Sequence, residues 1–216
     1  MIRRSRFFST IALAAALAGC AGDGELVINE GVGITSSLTS CPTVGVPDYT
    51  GDVTVFRDAS SKSASNIDVV GAITNLRHAC DESGAEVYTN ASFDVRARRT
   101  DVRGARQVEL PYFVTVLRGG TAVVTKRVGS VTLNFADGQE RASASAEAAS
   151  YVNRAEATLP PEIREQITRR RRAGDPDAAL DPLADPAVRA ALQRTSFEML
   201  IGFQLSEDQL AYNATR

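Results

Sequence analysis

Glu86-Val-Tyr-Thr-Asn-Ala-Ser-Phe-Asp-Val-Arg-Ala-Arg98 alternates without interruption. Val87, Ala91, Phe93, Val95 and Ala97 share one side with Thr89, while Tyr88, Asn90, Ser92, Asp94, Arg96 and Arg98 share the other. A helix would scatter these residues around its circumference, whereas a period of two leaves one apolar and one wet face, the mark of a half-buried β-strand. Further stretches of the same kind are residues 52–56, 67–76, 108–118, 122–133 and, more weakly, 142–151. Turn sequences separate them. Asp81-Glu-Ser-Gly84 and residues 101–104 are two, and Gly119-Gly120-Thr121 supplies the positive φ angles of a tight hairpin.

Strands at this spacing with no helix between them predict a mainly β protein: an antiparallel β-sandwich of immunoglobulin or fibronectin type over residues 41–156. Past Thr158 the composition changes. Pro160-Pro161, with Glu162 and Glu165 following, reads as a helix start whose far end is the run Arg169, Arg170, Arg171 and Arg172, stopped by Gly174. Asp175, Asp181 and Asp185 each precede a proline and suit caps or turns, with Pro186 opening a helix to about Arg194. Phe197, Met199, Ile201, Phe203 and Leu205 then alternate as a strand that needs a sheet partner, and Ser206 with Gln209 has capping-box spacing. Residues 157–216 are therefore expected to be a helix-rich extension, with one late strand, packed on the sandwich and not a second domain.

The chain has 216 residues, 44% hydrophobic and 23% charged, which is the composition of a folded domain and not of a disordered tail. Its formal charge of -2 excludes a polybasic protein that lives on nucleic-acid phosphates.

The N-terminus has a separate logic. Arg3, Arg4 and Arg6 precede an apolar run of about a dozen residues, too short to span a bilayer and typical of a secretory signal. It ends in Leu17-Ala18-Gly19-Cys20, which resembles the lipobox of bacterial lipoproteins. The resemblance implies cleavage after residue 19, acylation of Cys20 and attachment to the lipid bilayer through its acyl chains. Several chains, at ~0.8 kcal/mol per buried methylene, make such an anchor permanent in practice. In that family an Asp directly after the cysteine retains the protein in the inner membrane. Ala21 stands there instead, implying the outer membrane and its periplasmic side. Loss of three arginines from the 24 basic residues leaves 21 against 26 acidic ones, a mature net charge of −5. Residues 20–40, rich in Gly, Ser and Thr, read as a flexible tether whose ends lie about 25 Å apart; the alternative is that residues 25–29 add a strand to the body.

With Cys20 taken by lipid, Cys41 and Cys80 form an even pair, and an oxidising periplasm suggests a disulfide. His78, the only histidine, stands two residues before Cys80, but a bridge would remove the thiol a nucleophilic pair needs, leaving a polar turn residue. Hydrolase, metalloprotease, P-loop and dinucleotide-binding motifs are absent, so no catalytic residue, metal or cofactor is expected. Asp175, Asp177, Asp181 and Asp185 lack the glycine and final glutamate of a calcium loop. The run Arg169, Arg170, Arg171 and Arg172 is a candidate contact for phosphate groups, and Arg96, Arg98 and Arg99 suggest an exposed basic strand. The leading functional expectation is a non-enzymatic module that binds or scaffolds an envelope protein or glycan, through strand addition at the sheet edge near these arginines. The alternative is an envelope hydrolase working with paired carboxylates.

Overall fold

A computed structural model describes residues 38–169, 174–176 and 180–215. The expected signal segment, Cys20, residues 20–37 of the tether with their alternative strand, Asp177, and Arg170, Arg171 and Arg172 lie outside the described residues. Thr35–Arg216 forms one compact unit. Its strands are β1 (Thr43–Gly45), β2 (Asp52–Phe56), β3 (Ile67–Asp81), β4 (Glu86–Arg99), β5 (Arg106–Arg118), β6 (Ala122–Phe135), β7 (Arg141–Asn153) and β8 (Phe197–Phe203). Between and after the last two strands come α1 (Arg154–Ala157), α2 (Pro161–Thr168), α3 (Pro186–Thr195) and α4 (Glu207–Thr215).

The strands make two four-stranded sheets, the first ordered β1-β8-β5-β6 and the second β2-β3-β4-β7. All pairings are antiparallel except that of β1 with β8. The mainly β sandwich with a helical C-terminal part is therefore present. Its strand order is its own: β2, β3 and β4 are successive neighbours in one sheet, where the immunoglobulin arrangement sends the chain to the other sheet after its second strand.

β4 follows the predicted parity residue by residue. Val87, Thr89, Ala91, Phe93, Val95 and Ala97 are buried, and the intervening residues face outward. Facing them from the first sheet are Leu110 of β5, Val131, Leu133 and Phe135 of β6, and Met199, Ile201 and Phe203 of β8, all buried. In β7 alanines at 142, 144, 146 and 148 line the inner side, so small side chains sit where Phe93 and its neighbours fill the space. β8 goes further than the sequence implied: it lies between β1 and β5 as an interior strand of the first sheet and not on the sandwich surface. Gly202, on the side of β8 away from Ile201 and Phe203, is held by close approach, since a Cβ there would run into Thr50 Oγ1.

Of the expected exposed arginines Arg96 and Arg98 are exposed, whereas Arg99 is not. It has the parity of Val95 and Ala97, and it is 1% exposed. Its Nε donates to Gln139 O at 2.8 Å, Nη1 to Gly104 O at 2.8 Å, and Nη2 to Val102 O at 2.7 Å and Ala136 O at 2.8 Å. The guanidinium also lies 5.3 Å from the centre of the Phe135 ring. These four carbonyls belong to two of the connections that carry the chain between sheets, β4–β5 and β6–β7.

The C-terminal helices begin as their caps dictate. Asp185 accepts from Ala187 N at 2.8 Å at the start of α3, and Asp181 from Leu183 N at 2.9 Å at a 3-10 turn. Ser206 and Gln209 form the reciprocal capping box of α4, with bonds of 3.0 and 3.2 Å. α2 is shorter than expected. It ends at Thr168, and Arg169, with φ -58 and ψ 122, has already left the helix.

Cys41 and Cys80 are bridged, 39 residues apart in sequence, tying the start of the body to the end of β3. Glu82 reinforces that end by accepting from Ser40 N at 3.0 Å and Thr39 Oγ1 at 3.1 Å. A loop of that length is worth about 4 kcal/mol in the chain-entropy account. Urea unfolding of Cys41→Ser/Cys80→Ser is expected to show a loss near that size; a change below about 1 kcal/mol would mean that the bridge merely decorates a loop the body already holds.

Candidate functional site

The outward face of the second sheet is the best-defined surface. Cross-strand pairing builds it in rows: Tyr88 beside Tyr151, Asn90 beside Ala149, Ser92 beside Glu147, Asp94 beside Ser145, Arg96 beside Ser143, and Arg98 beside Arg141. On the other side of β4, Ala72 pairs with Arg96 and Val70 with Arg98. Residues Val70, Ala72, Arg96, Arg98, Arg141 and Ser143 line a shallow trough with a small apolar floor and a cationic wall.

Two features distinguish this face from an ordinary wet sheet. Arg98 and Arg141 stand directly opposite each other, and like charges in that relation are destabilising. Glu140 meets only Arg98, with Oε1 3.6 Å from Nε, while no side-chain hydrogen bond or ion pair engages Arg141 among the described residues. Next along, the β3 ladder is irregular between Thr74 and Arg77, and Asn75 takes the left-handed φ of 56. That bulge delivers the Asn75 amide to Asp94 Oδ2 at 2.9 Å, while Ser145 Oγ donates to Oδ1 at 2.7 Å. The Ser145 and Asn75 bonds, with the positive charge of Arg96 and Arg77, hold the Asp94 carboxyl below its usual range. It is a fixed acceptor.

Strand addition is expected at a sheet edge near these arginines, but β4 itself offers no edge. β4 is interior, flanked by β3 and β7, so Arg96 and Arg98 stand on a face. The exposed apolar edge belongs to β6, where Val123, Val124 and Val128 are 65%, 51% and 60% exposed with Lys126 and Arg127 among them. Charges at such an edge blunt strand pairing. His78 is in strand β3 opposite Ala91, not in a turn, and it is exposed; the Cys80 sulfur beside it is taken by the bridge. Of the expected phosphate contacts, only Arg169 is described, in a cleft with Glu162, Glu165, Gln166, Asp181 and Asp185.

That cleft gathers carboxylates, but two of them are occupied as caps. Gln166 Nε2 and the Ala187 backbone hold the Asp185 carboxyl below its ordinary value, the opposite of what a general acid requires. Among the described residues no three His, Cys, Asp or Glu side chains gather in a way that could hold a metal ion. No protein-family model, curated protein or solved structure matches the chain.

The juxtaposed arginines make a stability prediction with an unusual sign. Arg141→Glu places an opposite charge beside Arg98 and is expected to stabilise the protein by a few tenths of a kcal/mol. Thermal melts at low ionic strength and in ~1 M salt check this, because screening should erase the gain. A destabilised variant would show that Arg141 has a structural partner.

Proposed function

We propose that this protein is a lipid-anchored lipoprotein of the outer membrane, facing the periplasm, whose sandwich is a non-enzymatic module that binds or scaffolds an envelope protein or glycan. The observation that carries the binding reading is the outward face of the second sheet. Evolution of a purely structural sheet would not favour Arg98 opposite Arg141 with so little carboxylate nearby, whereas an anionic partner would neutralise both. The anchoring reading rests on Leu17-Ala18-Gly19-Cys20 and on Ala21, and the disulfide between Cys41 and Cys80 suits an oxidising compartment.

The alternative, a hydrolase with paired carboxylates, finds its densest carboxylate lining in the cleft of Glu162, Glu165, Asp181 and Asp185. There Asp181 and Asp185 already accept backbone N–H groups at helix starts, and the bonds to Asp185 favour its charged form, the opposite of what a proton donor needs. The geometry favours recognition over catalysis.

Replacing Cys20 by Ala and fractionating the cells tests the anchor. The native protein is expected in the membrane fraction and the variant in the soluble fraction of the cell envelope. Unchanged membrane association of Cys20→Ala would contradict the lipoprotein reading.

A further inference from the structure

Resting on the binding reading above, we propose that the outward face of the second sheet takes an extended anionic glycan laid along β4, with a sugar ring against Tyr88 and Tyr151 and its acidic groups on Arg96, Arg98 and Arg141. The face has the length and the sequence of chemistry for such a ligand. Tyr88 and Arg98 are ten positions apart on one strand, so the path between them is about 34 Å.

At one end Tyr88 and Tyr151 pair across the strands with ring centres 4.9 Å apart and planes tilted by 40°. Tyr151 is 57% exposed, although a ring of that size has a large incentive to be covered. Two adjoining phenols offer an apolar surface with hydroxyls at the rim, which matches the mixed character of a sugar ring. No tryptophan exists in the chain to provide a broader platform.

The middle of the path carries short hydrogen-bonding groups, Asn90, Ser92 and Asp94, at alternate positions of β4. Asp94 is the informative one. Its carboxylate is fixed by Asn75 and Ser145, so it accepts hydroxyl donors readily and repels an anionic group placed over it. A chain that turns ring hydroxyls toward Asp94 and carboxylates toward the arginines further on satisfies both constraints.

At the other end Arg96 and Arg98 follow at about 7 Å along the strand, and Arg141 lies beside Arg98. Guanidinium forks grip carboxylate or phosphate oxygens in two-point fashion. A polypeptide strand is the poorer occupant. It would seek a sheet edge for its backbone bonds, and would add beside β7 at the margin of the sheet, leaving the face along β4, whose own edges are taken by β3 and β7, uncovered.

The test is calorimetric titration of the full-length protein in detergent with an oligogalacturonate long enough to span the face. A neutral maltooligosaccharide and a glutamate-rich peptide are the comparison probes. Saturable binding of the oligogalacturonate is expected, at least tenfold tighter than that of the neutral sugar. Arg98→Gln/Arg141→Gln should weaken it tenfold or more and Tyr151→Ala severalfold, with unchanged far-UV spectra, whereas Arg127→Gln on β6 should leave it unaltered. Absence of oligogalacturonate binding would overturn the proposal, as would an equal loss from Arg127→Gln, which would indicate diffuse charge attraction. Tight binding of the glutamate-rich peptide, dependent on Arg98 and Arg141 but not on Tyr151, would also overturn the glycan assignment while leaving the binding-module reading standing.

Discussion

Arg99 occupies the position on which the sandwich depends. The strict alternation of β4 carries it to the inner side after Val95 and Ala97, where a guanidinium without water costs several kcal/mol unless its donors are met. They are met by Val102 and Gly104 from the loop that leaves the second sheet, and by Ala136 and Gln139 from the loop that returns to it. Each loop turns carbonyls inward that would otherwise be orphaned. A single cation therefore solves the hydrogen-bonding problem of two of the sheet-to-sheet crossings, β4–β5 and β6–β7, and the Phe135 ring closes over it. Around it, Asp68 of β3 accepts from both Arg106 terminal nitrogens, at 2.8 and 2.5 Å, joining the two sheets again at the same end. The opposite end is secured by other means, the Cys41–Cys80 bridge and the Glu82 contacts to Thr39 and Ser40.

With both ends fixed by internal bonds, the outward face of the second sheet has little structural work. Its arginines are not spent on holding the crossings, which distinguishes Arg96, Arg98 and Arg141 from Arg99 although three of the four lie within four residues. The same contrast holds for carboxylates. Asp181 and Asp185 are committed to helix starts, whereas Asp94 is fixed in place but points at solvent, where a ligand can reach it. Recognition by a rigid sheet face, with partner groups at strand spacing, is the chemistry this division allows.

The parity of β4 was legible from its residues because a period of two leaves no other placement for Val87, Phe93 and Val95. So were the glycine hairpin at Gly119-Gly120, the Ser206 and Gln209 box and the cysteine pairing. Charge and parity point opposite ways at Arg99: the alternation that buries Ala97 also buries Arg99, and its partners are backbone carbonyls that no residue type announces. β1 escaped notice since three residues paired in parallel with β8 carry no periodic signal. The interior place of β8 and the interior place of β4 are facts of strand order, which alternation within a single strand does not encode. The Arg98–Arg141 juxtaposition depends on register between β4 and β7, strands more than forty residues apart, which the sequence of neither strand encodes.

Urea unfolding of Arg99→Met beside Arg98→Met tests the central claim most directly, because the two substitutions remove the same group from adjacent positions of one strand. Arg99→Met is expected to lose at least about 3 kcal/mol, or to fail to fold, since it strands four inward carbonyls. Arg98→Met should change stability by no more than about 0.5 kcal/mol. Equal and small effects at both positions would contradict the account, showing that the crossings are held without the buried guanidinium.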